Sequence, residues 1–315
     1  MAWESGANRH IQAWAKQITD AEDAIDVFYR TCFDAGDACL LRKTTDTSSA
    51  DIRARVTALI LSLQQAPVSA IYDGRAYLVT AFILSEAIRQ TLYAPITAYE
   101  PLSVALAQAL EGNFTLLLSN ANVLGPDAAP DVCTEPPATS PPQVYTFARE
   151  ATIGVACGDS QASAPNRNTL AWAASAAGTI ANQSVTIGEA WANNPLICAD
   201  WPFAPPYAFA GPFGSPAPAA NDTSRAPLLI LSTRLDHATP LANAFALSRL
   251  HGGSAVVVQE SVGHCAILSS VSPCVNGILK EYFRSGTVPA NGTVCADQQC
   301  KPEIPYKACP GLLGA

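Results

Sequence analysis

The sequence predicts an α/β fold, of which the last parallel strands of a sheet are recognisable, together with a separate helical region. Two continuous apolar runs, at 227–231 and 254–259, are typical of parallel strands buried on both faces. The intervening segment 240–250 has a helical pattern, which makes a β-α-β unit with a right-handed crossover. We therefore assign residues 1–150 to a helical cap or lid and residues 151–315 to the C-terminal part of an α/β domain.

The helical region is predicted from apolar stripes at helical spacing and from capping residues. Thr19–Glu22 reads as a capping box that begins a helix ending at Gly36, and Ser48 or Ser49 can cap the next helix. Further helices are expected at about 77–93 and 101–110. Core packing between helices explains the apolar stripes better than a cofactor site does.

The remainder of the chain is interpreted from composition and short patterns. Segments 125–142 and 201–218 are rich in proline and read as a boundary loop and an irregular surface segment. Segment 152–157 is expected to be a short strand, and an amphipathic helix is expected from Ser272 to Gly286. Two convincing strands are fewer than the four to six or so of a typical doubly wound sheet. The sequence therefore resembles the second half of an α/β protein.

Composition excludes several classes of protein. Hydrophobic residues make up 49% and charged residues 14% of the 315, which argues against a disordered chain. The net charge is −8 and no basic cluster occurs, so nucleic acid is not an expected partner. The longest apolar runs are too short to span a bilayer, so no membrane partner is expected.

Ten cysteines indicate an oxidising compartment and disulfide pairing. No C-x-x-C motif occurs and the four histidines lack ligand spacing, so we expect neither a metal nor another cofactor. Close pairs such as Cys32 with Cys39 and Cys265 with Cys274 are plausible, although the connectivity stays open. Four glycosylation sequons agree with secretion: Asn113, Asn182, Asn221 and Asn291. The first ten residues contain no export signal, so we expect the true N-terminus of a secreted protein to lie upstream.

Two chemically active side chains follow the two predicted strands. Asp236 comes after the first strand and His264 after the second, 28 positions later. Because the carboxyl ends of parallel strands meet at one edge of a sheet, both residues are expected at the same rim. A carboxylate beside an imidazole fixes its tautomer and stabilises the imidazolium that forms when a nucleophile loses its proton. On pattern alone, a turn carboxylate and a rim histidine without a catalytic role are equally good interpretations.

The last third of the chain resembles the C-terminal domain of the tripeptidyl-aminopeptidase-like (TAP-like) α/β-hydrolases, over about residues 220–300. The runs that carry the resemblance are Pro227–Leu241, Gly253–Val257, Gly263–Cys265, Tyr282–Thr287 and Gly292–Cys295, with weaker matches at Cys32–Cys39, Leu92–Pro95, Cys157–Asp159 and Cys198–Pro202. The resemblance implies a Ser-His-Asp triad in which Asp236 is the acid and His264 the base. The family usually has proline where this chain has His237, so this loop is a variant.

The nucleophile of such a triad is missing from the sequence. The class carries its serine in G-x-S-x-G, and no such motif occurs among the 315 residues. Ser160, in Gly158–Ala162, comes closest but lacks the second glycine, and Ser261 lies on the wrong element. We therefore expect that the half of the protein bearing the nucleophile is not part of this chain, most simply through an error in the gene model.

Two functions remain open from the sequence. The first is the C-terminal portion of a secreted serine hydrolase, an aminopeptidase-type peptidase acting on peptide N-termini, with small esters or amides as other substrates. The alternative is a catalytically inactive truncated product or pseudoenzyme that acts as a binding or interaction module. His237 is interpreted as a loop residue, and Cys265 as a disulfide partner and not as a thiol nucleophile.

Overall fold

The structure, a computed structural model, describes residues 17–119, 151, 153–158, 169–203 and 227–312. The first part is mostly helical and contains one hairpin: α1 (Ala21–Asp34), α2 (Ser49–Gln65), β1 (Val68–Tyr72), β2 (Arg75–Val79), α3 (Ala81–Thr91), α4 (Pro95–Leu110), α5 (Thr115–Leu118), α6 (Leu170–Ala181) and α7 (Gly188–Ile197). The second part alternates strands and helices: β3 (Leu229–Leu235), α8 (Leu241–Leu250), β4 (Ala255–Val262), α9 (Ala266–Ser269), α10 (Pro273–Ser285) and β5 (Thr293–Cys295). None of the described helices combines the length and the apolar character needed to cross a bilayer.

Helix α1 begins where the sequence predicts, but without the expected capping box at Thr19–Glu22. Asp20 occupies the N-cap position and its side chain makes no capping hydrogen bond. Glu22 instead accepts hydrogen bonds from Arg53 of α2 (2.5 Å) and from the Ser184 hydroxyl. A partly buried ion pair with a second helix therefore uses the carboxylate that a local capping box would need. In α2, by contrast, the box between Ser48 and Asp51 is formed.

A hairpin replaces the first part of the helix predicted at 77–93. Strands β1 and β2 pair antiparallel around Asp73 and Gly74, which both have positive φ (49° and 70°). Two consecutive residues in this conformation form the turn that Asp-Gly favours between hairpin strands. The predicted helix therefore begins only at Ala81, and the helix predicted at 101–110 begins earlier, at Pro95.

The short strand predicted at 152–157 is also wrong, because residues 153–158 are helical. A short, mostly apolar run fits a buried helical turn as well as a strand. Ala156 and Cys157 are buried, and a disulfide joins Cys157 to Cys198 at the end of α7. The segments predicted as loops at 125–142 and, after residue 203, at 204–218 lie outside the described residues.

The helices of the first part enclose one large apolar core. Its biggest fully buried side chains include Phe28, Tyr29, Ile52, Leu84 and Tyr99. The Phe28 ring meets the edge of Tyr99 with their centroids 5.1 Å apart, a geometry that aromatic pairs favour. The core reaches into the second part, where Ala238 and Val262 belong to it.

The second part is a parallel sheet in the order β3-β4-β5. Apolar side chains of α8 cover one face of the sheet, around Ile230 and Val256, and those of α10 cover the other, around Val257. Helices on both faces explain why β3 and β4 read as continuous apolar runs. The outer edge of β3 pairs with no strand within the described part of the chain.

Four disulfides link described cysteines: Cys32–Cys39, Cys157–Cys198, Cys274–Cys295 and Cys300–Cys309. The suggested pair Cys32–Cys39 is thus present, but the suggested pair Cys265–Cys274 is wrong. Cys274 begins α10 beside β5, where its Cα lies 5.6 Å from that of Cys295. Cys265 lies at the end of β4 and is the free cysteine of the described residues, while Cys133 lies outside them.

The tail after β5 returns to the helical part. Ile304 is buried in the helical core, and the Tyr306 backbone N–H donates a 2.8 Å hydrogen bond to Glu100 of α4. Both residues lie in the loop that the Cys300–Cys309 disulfide closes. The chain therefore connects the two parts a second time at its C-terminal end.

Three of the four predicted glycosylation sequons fall on described, exposed asparagines. Asn113 lies between α4 and α5, and Asn182 follows α6. Asn291 precedes β5 and accepts a 2.9 Å hydrogen bond from the Val256 backbone N–H. Asn221 lies outside the described residues.

Candidate active site

The parallel pairing of β3 and β4 brings the two predicted residues together. Leu235 and Val262 are partners at the carboxyl end of the two strands, and Asp236 and His264 follow them. The His264 Nδ1 atom lies 3.1 Å from Oδ2 and 3.2 Å from Oδ1 of Asp236. Since an ionised carboxylate only accepts hydrogen bonds, Nδ1 carries the proton in this pair.

The Asp236 carboxylate is fully engaged by its own loop. Its Oδ1 atom accepts backbone N–H bonds from Ala238 (2.9 Å) and Thr239 (2.8 Å), and its Oδ2 atom accepts the Thr239 hydroxyl (2.7 Å). Burial alone would raise the pKa of Asp236. The hydrogen bond from His264, the positive charge of His264 and the hydrogen bond from the Thr239 backbone together lower the pKa below its ordinary value. Asp236 is therefore a buried, ionised and rigidly oriented acceptor.

His264 is held as a cation by this neighbour. Burial lowers the pKa of its imidazole, but the hydrogen bond and charge of Asp236, together with the adjacent Cys265 side chain, raise it to about 10. The His264 side chain is 17% exposed, so the ring reaches the surface of the site. In these surroundings the ring is protonated at neutral pH.

A further carboxylate, Asp20, supports the Asp236 loop from the helical part. It accepts backbone hydrogen bonds from Asp236 and from Leu241, the first residue of α8. Its pKa is raised, first by burial and also by the negative charge of Asp236. The sequence offered no signal for this contact, because Asp20 read as part of a helix start.

Gly263, directly before His264, closely approaches the helical part at Leu92 and Pro95. Its φ is +116°, and a Cβ atom there would lie 2.8 Å from the Pro95 side chain and 3.3 Å from the Leu92 carbonyl oxygen. The Thr233 hydroxyl donates to the Gly263 carbonyl at 2.7 Å. Only glycine combines this backbone conformation with such a close approach.

His237 lies in the loop after β3, as the sequence suggested, but it is completely buried. Its ring stands perpendicular to that of Tyr93, with 4.5 Å between centroids. Neither ring nitrogen hydrogen-bonds another described residue. Burial is the main cause that lowers its pKa to about 3, and the positive charges of Arg89 and His264 act in the same direction. The imidazole is therefore neutral.

Among the described residues, no serine supplies a nucleophile at the pair. The ring of His264 hydrogen-bonds to Asp236, Thr239 and the neighbouring Cys265 side chain, but not to a serine hydroxyl of the described segments. Ser261 belongs to another polar cluster, in which it contacts Ser269 and Gln259. Ser160, the closest sequence match to a nucleophile motif, lies outside the described residues.

One group of metal-ligand side chains occurs in the described segments, formed by Cys274, Cys295 and Asp297. Its two sulfur atoms are joined in a disulfide and are therefore not thiolate ligands. The Asp297 carboxylate accepts hydrogen bonds from the Ser272 hydroxyl and the Cys274 backbone N–H. These contacts connect the start of α10 to β5 and the residues after it, which is a structural role.

An aspartate and a histidine in contact at the carboxyl ends of adjacent parallel strands, with helices on both faces of the sheet, define a partial α/β-hydrolase fold. Residues 183–295 match the family model of TAP-like proteins within this class. Tripeptidyl aminopeptidases from Streptomyces lividans and Streptomyces coelicolor are each 29% identical over 112 residues, which are 36% of this chain and 19% of the relative. This segment is thus a TAP-like α/β-hydrolase segment, as the resemblance predicted, and the match spans about a fifth of the relatives' length.

Proposed function

We propose that the chain supplies the acid and the base of a secreted serine hydrolase that acts on peptide N-termini. Asp236 is the orienting acid and His264 the general base. The observation that carries this proposal is the 3.1 Å approach of His264 Nδ1 to Asp236 Oδ2 at the carboxyl ends of parallel strands. When the ring is neutral, this arrangement keeps the proton on Nδ1 and leaves the other nitrogen, Nε2, as the proton acceptor.

The reaction is acyl transfer. The serine oxygen attacks the carbonyl carbon while its proton passes to Nε2 of His264, and the imidazolium then gives that proton to the departing amine. Water releases the acyl group by the same steps. A base works best with a pKa near the working pH. The raised pKa of His264 therefore requires that the approach of the serine and the exclusion of water lower it.

The serine is proposed to come from a segment outside these 315 residues. Two observations support this: the sequence contains no G-x-S-x-G motif, and the outer edge of β3 has no partner strand in the described part of the chain. A further parallel strand on that edge would bring its own carboxyl end to the rim where Asp236 lies.

Peptides are the proposed substrates because both relatives are tripeptidyl aminopeptidases. Small esters and other amides react by the same chemistry. Secretion is supported by four disulfides, which are typical of oxidising compartments, and by exposed asparagines in three sequons.

The test compares variants of the natural protein, including its serine-bearing segment, on a peptide with a free N-terminus and a chromogenic leaving group after three residues. His264→Ala should lower kcat by about 10⁴-fold, and Asp236→Asn by a similar factor, because the base or its orientation is lost. His251→Gln, at the end of α8 and away from the pair, should retain activity. Unchanged turnover by His264→Ala would contradict the proposal.

A second assay locates the nucleophile. The 315-residue chain alone should not be labelled by a fluorophosphonate, which reacts with activated serines. Strong labelling that disappears in Ser160→Ala would show that this chain contains the nucleophile, and the proposed external serine would be wrong.

The absence of G-x-S-x-G from the 315 residues favours one other candidate, a catalytically inactive binding module. The mass of the intact natural protein separates the two. A mass well above 32.9 kDa, with a G-x-S-x-G serine in the additional sequence, supports the hydrolase. A protein of 32.9 kDa that binds peptides without turnover supports the binding module.

A further inference from the structure

The ring of Tyr93 lies against both imidazoles of the site. Its centroid is 5.2 Å from that of His264 at an interplanar angle of 73°, and 4.5 Å from that of His237 at 89°. The two imidazoles are themselves 6.5 Å apart. Tyr93 follows helix α3, so the residue that packs on the acid–base pair comes from the helical part and not from the sheet.

The hydroxyl group of Tyr93 is anchored within the helical part. Arg89 donates to it through Nη1 at 3.0 Å, and the same guanidinium binds both carboxylate oxygens of Glu86, at 2.5 and 2.7 Å. Gln90 donates to Glu86 at 2.7 Å, and Trp191 of α7 lies 5.3 Å from the Arg89 guanidinium. Since these contacts join side chains of two helices, they fix Tyr93 in place before any substrate binds.

We propose that Tyr93 is a positioning residue of the Asp236–His264 pair, a role that rests on the proposed function of that pair. The bond from Nδ1 to Asp236 fixes one atom of the imidazole but leaves the ring able to tilt about that bond. A ring packed edge-on to the imidazole restricts that tilt and keeps water from the Nδ1 proton. His264 then presents the same nitrogen to a nucleophile at all times.

His237 completes this packing from the side of the Asp236 loop. It is fully buried and lies against Tyr93, and neither ring nitrogen has a partner among the described residues. Its contribution is therefore the shape of a neutral aromatic ring. Tyr93 is held by His237 from one direction and by Arg89 from another.

The experiment follows the Nδ1 proton of His264 in the whole 315-residue chain by NMR and measures its exchange with water. Tyr93→Leu should speed the exchange by about tenfold, which corresponds to the loss of one aromatic contact. Tyr93→Phe keeps the ring and loses the anchor to Arg89, so we expect a smaller increase of about twofold to threefold. Tyr99→Leu is the matched control, since it removes a fully buried tyrosine ring from the helical core and should not alter the exchange.

Four results would overturn the proposal. The first is an exchange rate in Tyr93→Leu equal to that of the unmodified chain. The second is an equal acceleration in Tyr99→Leu, because the effect would then reflect general loosening. If Tyr93→Leu does not fold, an unaltered rate in Tyr93→Phe is decisive in the same way. A protected Nδ1 proton missing from the unmodified chain would contradict the acid–base pair as well, whereas the other results leave the proposed function intact.

Discussion

The helical part and the sheet part of this molecule are stabilised in different ways. The helices enclose a large core of fully buried side chains and are cross-linked by polar networks such as that of Glu22, Arg53 and Ser184. The sheet has three strands, one apolar cluster on each face, and an edge of β3 without a partner in the described segments. The comparison teaches that the part carrying Asp236 and His264 has the smaller core, and that the loop bearing His264 packs against the helical part.

Removing one phenylalanine ring from each part should give the largest difference in the free energy of unfolding. Phe28→Ala in the helical core should lower the free energy of unfolding by about 3–5 kcal/mol, because it leaves a large cavity among fully buried neighbours. Phe245→Ala on α8 should cost less, about 1–2 kcal/mol, because that ring is only partly buried against the sheet. Urea unfolding followed by circular dichroism measures both changes. Equal decreases in the free energy of unfolding would show that Phe245 stabilises its cluster as much as Phe28 stabilises the helical core.

Gly263→Ala tests the junction between the parts and should have the next largest effect. The positive φ and the close approach of Pro95 together should cost roughly 2–4 kcal/mol. Gly112→Ala is the matched control, because Gly112 also has positive φ (+83°) but open space around its missing Cβ, and it should cost about 1 kcal/mol. Similar losses in the two variants would mean that the contact with Pro95 is not restrictive.

The buried imidazole at the junction predicts an effect that is absent at neutral pH and grows as the pH falls. The pKa of His237 is lowered to about 3 in the folded chain, whereas the unfolded chain takes up the proton near 6.5. Stability therefore falls as the pH drops from about 6.5 towards 3, since the unfolded state binds the extra proton. His237→Phe should remove this component, so the variant should gain stability relative to the unmodified chain as the pH falls.

Urea unfolding at several pH values between 7 and 4 measures that difference. His264 makes the opposite contribution, because its raised pKa stabilises the folded state below 6.5 and this stabilisation is lost as the pH rises through about 10. Because the unmodified chain and His237→Phe both contain His264, the difference between their free energies of unfolding leaves the His264 contribution out. A stability difference that is constant with pH would show that His237 is not held neutral by burial.

Local sequence patterns were sufficient for the sheet part of the site. Parallel strands buried on both faces produce continuous apolar runs, so β3, β4 and the residues after them could be located from the sequence. The contact between Asp236 and His264 follows from the register of two neighbouring strands, which the crossover helix fixes.

Contacts between the two parts could not be predicted in this way. Tyr93 read as one residue of a longer helix, and its neighbours His237 and His264 are more than 140 positions away in the chain. The hairpin is a different case, because Asp73-Gly74 is a recognised turn signal directly before the stretch 77–93 that was predicted as helix. The pairing of Cys274 with Cys295 likewise depends on β5, a strand of three residues that has no periodic signal.

The returning tail has a consequence for how the molecule can move. The polypeptide passes from helices to sheet and then back, where Ile304 enters the helical core and Tyr306 bonds to Glu100. A body tethered at both ends cannot swing open about a single hinge. Any movement that separates the two parts must first release Ile304 from the helical core and break the bond between Tyr306 and Glu100.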